Sequence, residues 1–201
     1  MPSVYDLKPA FQGLLRPLTV SLAARGVTAN QITVAAFLLA AVTGLLIASR
    51  PAHLPMLGLI PVVLLFRMAL NAIDGMLARE HHMKSRLGAV LNELGDVLAD
   101  AVLYLPLALV PGLDPAIVVT FVLLGAIVEM TGVIAVQIGA TRNYAGPMGK
   151  SDRAVLVGLA TLLLSLGVPA GLWCAALFGL GSVLSILTII NRARQALREA
   201  A

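Results

Sequence analysis

Arg67, Asn71, Asp74 and Ala78 are spaced by four, three and four residues, and Gly88, Asn92, Asp96 and Asp100 fall four apart. Each set therefore occupies one stripe of a helix. Carboxylates converging from two helices commonly hold a hard divalent cation such as Mg²⁺, which is then shared with substrate phosphates. Gly75, Ala78 and Gly88 leave room for a flat or bulky group to approach the backbone. Five of the ten acids, Asp74, Glu93, Asp96, Asp100 and Glu129, lie in otherwise apolar segments. A carboxylate at the bilayer centre costs at least ~2.5–3.5 kcal/mol, so a cluster of them marks chemistry before it marks stability. A cation, a phosphate and a lipid interface together point to phosphoryl transfer on a lipid. The blander reading is a polar network that only locks two helices together.

The elements that must position these residues are membrane spans. The 201-residue chain is 59% hydrophobic and 12% charged, with a mean hydropathy of +0.95, outside the range of soluble domains. Apolar segments fall at 31–49, 56–78, 87–110, 115–141, 152–168 and 170–191, each near the ~18–20 residues that a crossing helix needs. The expected fold is an all-α integral membrane protein of six transmembrane helices preceded by an amphipathic interfacial helix. It forms one membrane domain, with residues 1–27 as the interfacial helix and 28–201 as the six-helix bundle. In the first segment, Leu7, Phe11, Leu14, Leu15, Leu18 and Leu22 recur at helical spacing among Lys8, Arg16 and Arg25, and Pro17 should bend the helix. Thr28 and Gln31 have the form of a capping box. No cleavable signal peptide is expected, because prolines and arginines interrupt the early apolar residues.

Twelve of the fourteen Lys and Arg residues lie on one side of this topology, leaving Arg50 opposite and Arg67 within a span. Both termini and the acidic cleft are therefore expected on the cytoplasmic side of a bacterial inner membrane. The net charge of +4 suits anionic headgroups or an anionic substrate. Nothing suggests a nucleic-acid partner. Cys174 is the only cysteine, which excludes an internal disulfide. Gly125, Gly132 and Gly139 recur every seven residues, as expected for close helix packing or a dimer contact.

The stretch Asn71-x2-Asp74-Gly75-x2-Ala78-Arg79-x8-Gly88-x3-Asn92-x3-Asp96 resembles the signature of the CDP-alcohol phosphatidyltransferase family, Asp-x2-Asp-Gly-x2-Ala-Arg-x8-Gly-x3-Asp-x3-Asp. Every spacing matches, and identities depart only at Asn71 and Asn92. The span count, the first helix and a Thr-x-Asn-x-x-Thr run at Thr28, Asn30 and Thr33 are also similar to the family. The resemblance implies transfer of a phosphatidyl group from CDP-diacylglycerol to a small alcohol, with release of CMP. It also implies Mg²⁺ or Mn²⁺, a pair where all four positions are aspartate and one or two ions here, at Asn71, Asp74, Asn92 and Asp96, with Asp100 the candidate to compensate for the asparagines. Asp96 would be the general base. Asp74, Gly75, Ala78, Arg79 and Gly88 would line the nucleotide site, and a homodimer in membrane lipid is expected.

Arg142, Lys150 and Arg153 form a basic loop on the expected cytoplasmic face. Topology alone accounts for such residues, but they also suit an anionic acceptor such as glycerol 3-phosphate. Two other readings stay open: a catalytically inactive relative that binds CDP-lipid or lipid, and a transporter with acids along an ion path.

Overall fold

A computed structural model describes residues 4–200, with side chains from residue 10 onward. The helices are α1 (Val4–Ala24), α2 (Ala29–Ser49), α3 (Leu59–Glu80), α4 (Arg86–Tyr104), α5 (Pro115–Gln137), α6 (Lys150–Ser165) and α7 (Leu172–Glu199). Two short 3₁₀ helices, Leu54–Gly58 and Leu105–Leu109, precede α3 and follow α4. Four helical segments among the described residues are long and apolar enough to cross a membrane: Ala29–Ser49, Leu54–Glu80, Pro115–Gln137 and Leu172–Glu199. The sequence predicted six crossings. The two helices beyond those four, α4 and α6, are 19 and 16 residues long, and both carry charges that lower their apolar content. Exposed Leu38, Leu45, Leu65, Phe66 and Leu123 would be an aggregation surface in water and are ordinary against lipid. This is an integral membrane protein.

Helix ends follow local chemistry. At the start of α2, the Thr28 amide donates to Gln31 Oε1 (2.9 Å) and the Gln31 amide donates to Thr28 Oγ1 (3.3 Å), the reciprocal pair of a capping box. Asp114 Oδ1 accepts from the amides of Ala116 and Ile117 at 2.8 and 3.2 Å, with Pro115 opening α5. Asp152 Oδ2 accepts from the Gly149 amide at 2.9 Å. At the end of α5, Gly139 takes φ +91° while the Ala140 amide reaches the Ala135 carbonyl at 3.0 Å, a Schellman ending that needs a residue without a Cβ. Gly139 is thus a helix stop and does not extend a packing stripe. Helix α1 runs uninterrupted through Pro17. Residues 1–3 of the expected interfacial segment and the side chains of Leu7 and Lys8 lie outside the described ones.

The chain divides into two compact units, Met1–Ala41 with Val63–Ala99, and Val42–Val62 with Asp100–Ala201. In the first, Ala29, Ile32, Ile73, Met76 and Leu77 form a buried cluster, joined by Leu15, Leu22 and Ala23 from α1. The inward side of α1 is therefore tied to α2 and α3, while Leu14 and Leu18 stay exposed. Arg16 donates to both Glu80 oxygens at 3.0 and 3.1 Å, and that carboxylate raises the arginine's pKa.

In the second unit α5 packs on α7, and α6 lies against the 3₁₀ helix Leu54–Gly58. Phe121 and Phe178 meet edge to face at 5.4 Å, and Gly181 leaves space for the Phe121 ring. Gly44 of α2 sits against the carbonyl oxygen of Val102 on α4. A methyl group there meets backbone, which cannot swing aside as a side chain can. Gly44→Ala is expected to cost about 1–3 kcal/mol, seen as a lower melting temperature in detergent. An unchanged melting temperature would show that the two backbones can part.

Candidate active site

Three helices of the first unit build the site. On α3, Arg67, Asn71 and Asp74 follow one stripe, and the five-residue link 81–85 returns the chain into α4. The Asn71 amide donates from Nδ2 to Asp96 Oδ1 at 3.1 Å, joining the stripes of α3 and α4. Arg67 NH2 stands 4.0 Å from the same Asp96 oxygen. Arg67 and Asp74 are buried, and the Asp96 side chain is 26% exposed. From α2, the Thr33 hydroxyl donates to Asp74 Oδ2 at 2.9 Å. Thr33 is the third residue of the Thr-x-Asn-x-x-Thr run, and its spacing gave no hint of which acid it would orient.

The remaining predicted residues are placed as follows. Asn92 is exposed on α4, and Gly88 lies where an added Cβ would stand 2.7 Å from Asn30 Oδ1. An added Cβ at Gly75 would stand 2.9 Å from the guanidinium of Arg79, so the space above Gly75 is held by its own helix. Ala78 packs against the apolar cluster of α1, α2 and α3. Lys150 opens α6 and is half-buried. Asp100, expected to extend the acidic stripe of α4, stands 3.5 Å from Arg153 in the second unit.

Arg142 and Arg153, expected to face an acceptor, converge on Glu129 of α5. Arg153 NH2 donates to Glu129 Oε1 at 3.1 Å and Arg142 NH2 to Oε2 at 3.2 Å. Arg192 NH1 lies 3.6 Å from Oε2. Arg153 and Arg192 are each 2% exposed, so the physical reason is plain: a buried guanidinium needs a counter-charge, and Glu129 provides it. Arg192 further donates to the carbonyls of Val128, Tyr144 and Ala145 at 2.8, 3.1 and 2.9 Å, which ties α7 to α5 and to the connection 138–149. Gly125 and Gly132 make room for the side chains of Arg153, from α6, and Arg142.

Among the described residues, no three His, Cys, Asp or Glu side chains gather to hold a metal ion. Asp74 and Asp96 with Asn71 and Asn92 offer two formal negative charges, and Arg67 offsets one of them. That donor set suits a hard cation shared with substrate phosphates.

Inner membrane protein YnbA of Escherichia coli is 44% identical over 195 residues, spanning 97% of this chain and 96% of the relative. The archaetidylinositol phosphate synthase of Pyrococcus horikoshii is 27% identical over 191 residues, 94% of each chain. Phosphatidylinositol phosphate synthase of Mycobacterium tuberculosis, solved with CDP-DAG bound, shares the fold at a TM-score of 0.74 and 19% identity, over 90% of this chain and 92% of that one. The same enzyme with manganese and citrate gives a TM-score of 0.72 at 20% identity, over 90% of this chain and 88% of that one. The model of the CDP-alcohol phosphatidyltransferases matches residues 26–194. Because that match covers most of the chain and holds every residue of the α2, α3 and α4 site, the protein belongs to the CDP-alcohol phosphatidyltransferase family.

Proposed function

We propose that the protein transfers a phosphatidyl group from CDP-diacylglycerol to the hydroxyl of a small alcohol and releases CMP. The observation that carries this reading is the hydrogen bond from Asn71 to Asp96, which joins the two helices that bear the family signature. The donor is supported by the structural relative solved with CDP-DAG. In the reaction the acceptor oxygen attacks the phosphatidyl phosphorus, the bond from that phosphorus to the CMP oxygen breaks, and the hydroxyl proton passes to the Asp96 carboxylate. Asn71 and Arg67 hold that carboxylate in place, and Thr33 orients Asp74. Asp74, Gly75, Ala78, Arg79 and Gly88 would border the nucleotide once the Arg79 side chain swings off Gly75.

A phosphorylated acceptor such as glycerol 3-phosphate is supported by the names of two relatives, both synthases of phosphate-bearing lipids. Of the basic residues expected to grip its phosphate, Arg142 and Arg153 are held by Glu129 and Lys150 opens α6. The same reading counts α2 to α7 as six crossings and lays α1 on the inner leaflet. It also puts both termini on the cytoplasmic side of an inner membrane, the membrane for which the Escherichia coli relative is named.

The protein in liposomes with CDP-diacylglycerol, Mg²⁺ or Mn²⁺ and a panel of alcohols is expected to release CMP with one acceptor class well above the rest. Absence of CMP with every acceptor would sink the proposal. It would favour the second reading, a CDP-lipid binder without turnover, for which the amide and guanidinium beside Asp96 are the supporting observation.

A bound divalent cation would supply charge neutralisation on the diphosphate. Adding EDTA is expected to reduce CMP release to background, and excess Mg²⁺ or Mn²⁺ to restore it. Release that persists in the chelator would remove the metal from the proposal.

A further inference from the structure

We infer that this protein holds one divalent cation per chain where the family signature, with four aspartates, is built for two. The inference rests on the transferase reading and concerns its metal site. Two divalent ions bring four positive charges, and the stripes of α3 and α4 answer with the carboxylates of Asp74 and Asp96 alone. Asn71 and Asn92 can offer carbonyl oxygens, but these carry no formal charge, and a Mg²⁺-sized ion exchanges its water for them reluctantly.

The geometry around Asp96 sharpens the count. Its Oδ1 accepts the Asn71 Nδ2 donor at 3.1 Å and has the buried Arg67 guanidinium at 4.0 Å. Donors and a positive charge thus stand on the side of Asp96 that turns toward α3. A second cation there would meet the repulsion of Arg67 and an amide presenting its hydrogens. An aspartate at position 71 would reverse both effects, since it has no N–H to donate and would add a negative charge facing Arg67. Asp100, the residue expected to add charge, stands 3.5 Å from Arg153.

The test is a count of bound Mn²⁺ on the full-length protein in lipid nanodiscs saturated with CDP-diacylglycerol, following free Mn²⁺ by electron paramagnetic resonance. The unaltered protein is expected to bind one equivalent, and the double variant Asn71→Asp, Asn92→Asp two. Two equivalents in the unaltered protein, or none, would overturn the inference, as would a double variant that stays at one. Should the double variant fail to fold, Asn92→Asp at its exposed position is expected to add a weaker second equivalent, and no added binding would count against the role given to the asparagines. CMP release is measured on the same samples. One bound ion without CMP leaves the count standing and removes the transferase reading, whereas CMP with two bound ions does the reverse.

Discussion

Asp96→Asn is expected to lower CMP release from CDP-diacylglycerol by about 10²–10⁴-fold, the usual worth of a positioned general base. The substitution keeps the size of the side chain and an oxygen for the Asn71 amide at 3.1 Å, so the junction of α3 and α4 should persist. What disappears is the site for the acceptor proton and the charge facing Arg67 at 4.0 Å. Asp96→Ala should fall as far or further, because it also leaves Asn71 and the buried Arg67 facing a void. A melting temperature close to the parent, together with the loss of CMP, would separate chemistry from folding. Release at parental rates in Asp96→Asn would exclude this residue as the base.

Glu129→Gln is expected to have the largest effect on stability. The carboxylate accepts from Arg142 and Arg153 at 3.2 and 3.1 Å and stands 3.6 Å from Arg192. Two of these guanidiniums are almost entirely buried. Removing one partner of a buried ion pair costs about 3–5 kcal/mol, since it strands the other charge in a medium that solvates it poorly. Here one substitution takes a shared counter-charge from three guanidiniums, with Asp100 still 3.5 Å from Arg153. The loss should be read as a lower melting temperature in detergent and as faster proteolysis of the connection 138–149, whose carbonyls at Tyr144 and Ala145 are held by Arg192. Replacing Arg16, whose pair with Glu80 is exposed, should change little by comparison. Equal effects at both places would mean that the cluster around Glu129 is solvated and carries no special weight.

Features that depend on residues close along the chain were legible before any fold was known. The apolar runs gave helices with ends set by Thr28 and Gln31, by Asp114 and by Asp152, because a cap is made between residues two or three apart. The spacing of Asn71, Asp74, Gly88 and Asp96 carried the family, and a short link made α3 and α4 successive helices of one motif. Glycine periodicity was the misleading local signal. Gly125 and Gly132 face arginines and Gly139 ends a helix, two outcomes that one spacing cannot distinguish.

Tertiary structure alone decided which charge meets which. Glu129 offered no partner by spacing, and its three arginines come from 13, 24 and 63 residues further on. Ser185, Thr188 and Arg192 do form one legible stripe on α7, yet nothing in it says that Arg192 turns inward to the carbonyls of a distant connection. Thr33 meets Asp74 across 41 residues. Helical periodicity fixes the face on which a side chain emerges, but a buried ion's partner is selected by the packing of separate helices in a medium that punishes any charge left alone.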